Sequence, residues 1–306
     1  MSSTSTEVHD AGTAETAETA GTAGTAGTAR TDRRSTGGGR FDRIARSPLA
    51  WAVTGFVGVT LVAGATATAP GPLPAVGAAF ALGVYRVVMR RQARRATPEI
   101  ARRGAVREWL LGAGIGLGFL LSSILLITLF GGFSFSWAGN GVSVVVSAVI
   151  TIAGGALTEE LTFRGLALQA LEQRWGGRAA VAITSLFFGF AHFFNPGATV
   201  WSALAIALEA GVLLGVAFLW RRNLWFVFGL HFAWNLVQQL FGIAVSGHVV
   251  QGLLVTHAHG PAWLTGGVFG LEASVVPVLI SFGLSVGMLT MARKGTGLAP
   301  VAAAAH

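Results

Sequence analysis

The stretch GGALTEELTFRGLALQALEQRW, residues 154–175, decides how this chain is read. Glu159, Glu160 and Arg164 interrupt a run that is otherwise apolar and long enough to cross a bilayer. An ionisable side chain there costs several kcal/mol unless it is paired or faces a polar cavity, so such a group marks a functional site by default. On a helix, i, i+4 spacing sets Glu160 and Arg164 on one face, where they can form a charge-assisted pair. Glu159 then points about 100° away and stays uncompensated, a condition under which a carboxylate suits acid/base work. A helix end emerging into water would account for the same residues.

Composition sets the frame. The 306 residues are 53% hydrophobic and 11% charged, with mean hydropathy +0.65, whereas a soluble domain carries roughly 25% charged residues. The chain is expected to be an all-α, polytopic membrane helix bundle in the cell membrane. At roughly 20 apolar residues per crossing, spans are expected near 49–69, 72–89, 109–130, 142–171, 179–194, 199–220, 224–245 and 274–292, about eight in all. Trp51, Trp109, Trp137, Trp201, Trp220 and Trp225 fall near the ends of these runs, where interfacial anchors belong. Residues 1–47, a Thr/Ala/Gly near-repeat followed by an arginine-rich run, cannot bury a core and read as a disordered tail. Residues 48–108 supply two further spans and a basic linker, 109–292 the core, and 293–306 a short tail.

Charge placement tests the span count. Cytoplasmic loops carry the Lys and Arg excess, and eight spans with both termini in the cytoplasm put every positive residue on or toward that side. The net charge of +8 therefore points to anionic membrane lipids and not to nucleic acid. The long basic connection RRQARRATPEIARRGAVREW, residues 90–109, reads as part helix lying on the inner surface. Without cysteine, disulfides, thiolate metal sites and a Cys nucleophile are excluded.

Two more segments place polar groups in apolar helices. FFGFAHFF, residues 187–194, holds His192 alone among aromatics, and GLHFAWNL, residues 229–236, sets His231 and Asn235 on one face at i, i+4. Each alone suits a helix-to-helix hydrogen bond. At 1.5 Å per residue, however, the three segments bring these groups to compatible depths, within a cavity expected to open to the cytoplasm. There a carboxylate and a His could activate water while a second His and an amide stabilise an oxyanion. Alternatively Glu159, His192 and His231 could hold a divalent metal such as Zn2+ with an open water position.

The blocks EELTFR (159–164), FGFAH (188–192) and HFAWN (231–235) resemble the EExxxR, FxxxH and HxxxN/D motifs of the CPBP family, in the same order and on separate helices. That group comprises CAAX proteases and bacteriocin-processing intramembrane endopeptidases, related to the type II CAAX prenyl endopeptidase. The resemblance covers roughly residues 109–292 and implies that Glu159 and His192 activate the hydrolytic water. It also implies that His231 and Asn235 form the oxyanion site and that Glu160 with Arg164 shapes the helix. A peptide or lipidated protein is the implied substrate. The metalloprotease label of the family comes with no HExxH signature in this chain.

GGVFGLEAS, residues 266–274, resembles a Gly/Glu segment that often follows the third motif, which makes Glu272 a loose further candidate, with helix capping in an external loop as the plain reading. Glu209 is an intramembrane carboxylate outside the motifs, able to bond across helices or to line the cavity. His248, His257 and His259 read as solvent-exposed loop residues, and the alternating glycines Gly112 to Gly118 as close helix packing. Two other function classes fit the same polar cluster: a proton-coupled secondary transporter, although no matching inverted halves occur, and a noncatalytic scaffold or immunity protein of the same fold.

Overall fold

A computed structural model describes residues 36–67, 69 and 71–294. The chain runs α1 (Thr36–Ala45), α2 (Pro48–Gly64), α3 (Leu73–Val87), α4 (Ala105–Leu129), β1 (Phe133–Trp137), α5 (Val142–Glu160), α6 (Gln169–His192), α7 (Val200–Ile206), α8 (Val212–Arg221), α9 (Leu224–Leu240), β2 (Leu254–Ala258), α10 (Ala262–Thr265) and α11 (Val275–Lys294). A π-helical stretch, Leu161–Leu168, joins α5 to α6, and another, Ala207–Gly211, joins α7 to α8. Local signals set several boundaries. Ser47 caps α2 ahead of Pro48, Thr199 and Ser202 form a capping box at α7, and the Asn223 side chain accepts from the Trp225 and Phe226 amides to start α9. Gly176, at φ 79°, turns the chain inside α6, so its two arms run in different directions.

Among the described residues five helices are long and apolar enough to cross a membrane: Leu73–Gln92, Ala105–Leu129, Val142–His192, Val200–Arg221 and Val275–Lys294. This is a multi-pass helical membrane protein. The helices Pro48–Gly64 and Leu224–Leu240 have 17 residues each, and the bend at Gly176 divides the longest unit. Three expectations need correction. The tail thought to be unstructured through residue 47 carries α1, while residues 1–35 and 295–306 lie outside the described residues. The bundle is all-α as expected apart from a small antiparallel ribbon of β1 and β2, which pairs Phe133 with Ala258 and Trp137 with Leu254. Trp51 is 2% exposed and packs in the core, so it is no interfacial anchor.

The third correction concerns the basic linker, part of which turns inward at Arg95 and Glu99 while Arg91, Arg94, Arg102 and Arg103 stay exposed. Arg95 bonds Glu99 at 3.0 Å and the Gln169 side-chain oxygen at 2.6 Å, and Tyr85 donates to Glu99. Burial opposes the charge on Arg95, but Tyr85 and Glu99 beside it outweigh that cost and hold its pKa above the ordinary arginine value. An i, i+4 carboxylate offers a buried partner that the membrane surface does not. Further pairs, Arg221 with Glu108 and Arg222 with Glu172, clasp the same end of the bundle. The glycine reading holds at two positions: a Cβ on Gly112 or Gly116 would strike the backbone oxygens of Phe226 and Leu230 in α9, whereas Gly114 and Gly118 meet nothing. Close approach of α4 fixes the position of the helix that carries His231 and Asn235.

Candidate active site

The α5 helix ends at Glu160, where the π-helical segment begins. Glu160 is wholly buried and Arg164 is 2% exposed. Arg164 Nη1 donates to Glu160 Oε1 at 2.9 Å, and its Nη2 donates to the Ala210 carbonyl at 2.9 Å. The guanidinium also lies 4.9 Å from the centre of the Phe188 ring, a favourable contact for a cation. Glu160 Oε1 has a second partner that the i, i+4 spacing could not reveal: His231 Nδ1 on α9, at 2.8 Å. Because a carboxylate only accepts, Nδ1 carries the proton and Nε2 is the ring nitrogen left for other work.

Glu159 has a different environment. Its side chain is 39% exposed, and its carboxylate lies 3.8 Å from His231 Nε2. It faces a cavity of about 410 Å3 that is also lined by His192, His231, Asn235, Phe163, Phe188 and Ala191. His192 Nδ1 is 2.7 Å from the Phe188 carbonyl, so it donates there and leaves Nε2 as its available nitrogen. The expected cluster therefore divides in two. Glu159, His192, His231 and Asn235 border one cavity, while Glu160 and Arg164 sit behind it and hold His231 by its far nitrogen. Of the two imidazoles, His231 is the one whose ring nitrogen comes within 4 Å of the Glu159 carboxylate, at 3.8 Å.

One end of the cavity was not foreseen. Asn195, Val245, Ser246, His248 and Glu272 complete its wall. Glu272, 4% exposed, accepts from Gln238 at 3.1 Å and from the Ser246 backbone and hydroxyl at 2.7 and 3.0 Å. Asn195 donates to the Ser246 carbonyl at 2.9 Å. Ser246 stands at φ 48° between these anchors, a conformation that costs a non-glycine residue and persists when its surroundings fix it. Glu272 thus belongs to the cavity and is no external helix cap. His248 is exposed, as expected, yet borders the cavity too. The signal in the sequence was the solitary charge: Glu272 is the one Asp, Glu, Lys or Arg between residues 241 and 274. Glu209 is wholly buried, lies outside the cavity wall, and makes no hydrogen bond from either oxygen.

The far wall and the arginines come from different ends of the helices. Asn195, Ser246, His248 and Glu272 come from the turn after α6 and the segment after α9, the helix ends opposite Arg174, Arg178, Arg221 and Arg222. Toward the arginine end the bundle is filled, with Leu168, Val181 and Gly215 packed together and Leu213 and Ala217 fully buried. An apolar groove of about 490 Å3 meets the cavity at Glu159, Phe163 and Ala191 and runs along Thr60, Ala63 and Gly64 of α2. The two N-terminal helices, which carry none of the motifs, thereby contribute to the surroundings of the site.

Residues 140–237 match the family described as type II CAAX prenyl endopeptidase Rce1-like. That segment is similar to an Rce1-like domain. It takes in all three motif blocks and, with them, Glu159, Glu160, Arg164, His192, His231 and Asn235, and the description is of a family of proteases. No curated protein matches the chain, and no solved structure does. Asn195 falls inside the Rce1-like segment, whereas Ser246, His248 and Glu272 lie beyond it.

The donor set for a metal is not assembled. Among the described residues no group of three His, Cys, Asp or Glu side chains is arranged to hold an ion. His192 and His231 each engage Nδ1 with a protein oxygen and keep Nε2 free, and no step below passes through a metal.

Proposed function

We propose that this chain is an intramembrane endopeptidase that hydrolyses a peptide bond in a membrane-associated or lipidated protein, with Glu159, His192, His231 and Asn235 as its catalytic residues. It crosses the membrane eight times, the 17-residue helices and both arms of α6 included, and anionic lipids contact its arginine-rich face. The observation that carries the reading is one cavity bordered by a half-exposed carboxylate, two imidazoles and an amide, with an ion pair buried behind it.

Water held by Glu159 and His192 Nε2 loses a proton to this pair as its oxygen attacks the carbonyl carbon of the substrate. The oxyanion that forms takes hydrogen bonds from the Asn235 amide and from His231 Nε2, the kind of preorganised stabilisation that usually contributes most to acyl-transfer catalysis. To donate from Nε2, His231 must carry both protons, with Glu160 and Glu159 as counter-charges on either side. Collapse of the intermediate breaks the C–N bond, and the proton taken from water passes to the departing amine. The products are a carboxylate and an amine, and the site returns to its starting state.

Two observations favour this reading over a proton-coupled transporter. The Rce1-like segment spans the cluster, and the arginine end of the bundle is packed shut. The test uses purified protein in detergent or liposomes, prenylated CAAX-type peptides and a library of membrane-protein fragments. Cleavage by the wild type should disappear in Glu159→Ala and in His192→Ala, and cleavage that survives both substitutions overturns the mechanism.

A further inference from the structure

Among the described residues, no cation answers the charge of Glu272. This carboxylate is 4% exposed and lines the same cavity as Glu159. Its hydrogen-bond donors, the Gln238 amide and the backbone and hydroxyl of Ser246, are all neutral. The ion pairs leave it out, and residues 223–292 contain neither Lys nor Arg. Arg164, behind the cavity, is taken by Glu160. Glu209 offers no relief, because its carboxylate and that of Glu272 repel each other. A buried acidic side chain is normally paired with a cation or a metal. Unfilled acceptors gather around the same turn. A carboxylate has about four acceptor positions, and the three donors to Glu272 leave one open. Gln238 Oε1, fully buried beside it, has no hydrogen-bond partner.

From this imbalance we infer that the far wall of the cavity is a subsite for a basic side chain of the substrate, a Lys or Arg whose cation pairs with Glu272. The inference rests on the endopeptidase reading for the presence of a peptide. A lysine ammonium carries three donors and an arginine guanidinium five, with no acceptor, which suits a wall short of donors. A carboxylate placed in a binding pocket is also a known means by which a protease selects basic residues. The cavity of about 410 Å3 accommodates few residues of extended chain at about 3.3–3.6 Å each, so the basic residue falls within about three positions of the bond that is cut. On its other side Glu159 meets the groove along α2, which has no charged lining residue but Glu159 itself. The two flanks of the site therefore take different side chains, apolar along the groove and basic at Glu272.

The test uses the full-length protein in detergent, carrying Glu159→Gln so that bound peptides stay intact. Fluorescent apolar peptides are made in which one lysine, or its uncharged analogue norleucine, is moved along the sequence, and binding is read by anisotropy. The inference expects lysine at one position to bind about ten- to a hundredfold tighter than norleucine, the effect of one hydrogen bond to a charged group. Glu272→Gln should remove that difference. His248→Lys, which leaves Glu272 and its anchors in place and brings a cation to the cavity edge, should remove it too. Equal binding of the two peptide sets at every position overturns the inference. So does a lysine preference that persists in a folded Glu272→Gln protein or, if that variant does not fold, in His248→Lys. Cleavage of the same peptides by protein with Glu159 intact decides the endopeptidase reading separately. Peptides cut without regard to lysine leave that reading standing and remove the subsite, whereas a lysine preference that depends on Glu272, without cleavage, keeps the subsite and removes the reading.

Discussion

Two adjacent glutamates should respond to the same substitution in opposite ways. Glu160 is wholly buried and a single oxygen of its carboxylate accepts from both Arg164 and His231, at 2.9 and 2.8 Å. Glu160→Gln keeps the shape but removes the charge, leaving the Arg164 cation buried with carbonyl oxygens as its remaining acceptors. Breaking a buried pair by neutralising one partner costs about 3–5 kcal/mol, because the other charge stays desolvated. Glu159 is 39% exposed, and its nearest cationic partner is 3.8 Å away. Glu159→Gln should therefore change stability by less than about 1 kcal/mol, the scale of exposed pairs. Its activity should fall by a factor of about 10² to 10⁴, the usual contribution of a positioned general base. Thermal unfolding of the protein in detergent, followed alongside peptide cleavage, separates the two effects. A lower Tm for Glu160→Gln with an unchanged Tm and lost activity for Glu159→Gln is the expected outcome. Equal losses of Tm, or a Glu160→Gln protein as stable as the wild type, would refute the division of labour between the two residues. Glu160→Met combined with Arg164→Met should recover part of the Tm lost in Glu160→Gln, since removing both charges removes the stranded one.

Three further outcomes follow from the same geometry. Asn235→Ala should lower kcat by roughly 10² to 10³ with little change in KM, as loss of one oxyanion donor does; steady-state kinetics would read this, and a change confined to KM would argue against that role. Gly116→Leu should strike the Leu230 carbonyl of α9 and destabilise by about 1–3 kcal/mol or more, whereas Gly114→Leu, with nothing near it, should leave the unfolding free energy within about 0.5 kcal/mol of wild type. Glu272→Ala should release the turn at Ser246 from its carboxylate anchor and raise KM more than it lowers kcat; an unchanged KM would mean that this wall does not contact substrate.

The helices and their polar residues were legible because a helix repeats: Glu160 and Arg164 four apart, His231 and Asn235 four apart, each reports a shared face without any knowledge of the fold. The contact between Glu160 and His231 joins residues 71 positions apart on two helices, and no periodicity encodes which helices touch. The far wall was hidden for a related reason. Residues 241–274 hold a turn, a strand and short helical pieces whose course depends on anchors such as Ser246 to Glu272 and Gly247 to Phe269, so their proximity to Glu159 has no local signature. The inward fold of Arg95 and Glu99 was likewise invisible, because a run of arginines at a membrane surface looks the same whether one of them is buried or none is.

The central claim is that water activated at Glu159 cleaves a peptide bond in this cavity. Its most direct measurement is mass spectrometry of the products formed by purified protein from lipidated and membrane-derived peptides in water enriched in oxygen-18. The account predicts a new product carboxylate carrying a single heavy oxygen with the wild type and no such product with Glu159→Gln or His192→Ala. Product formed at the wild-type rate by Glu159→Gln, or product without the heavy oxygen, would contradict it.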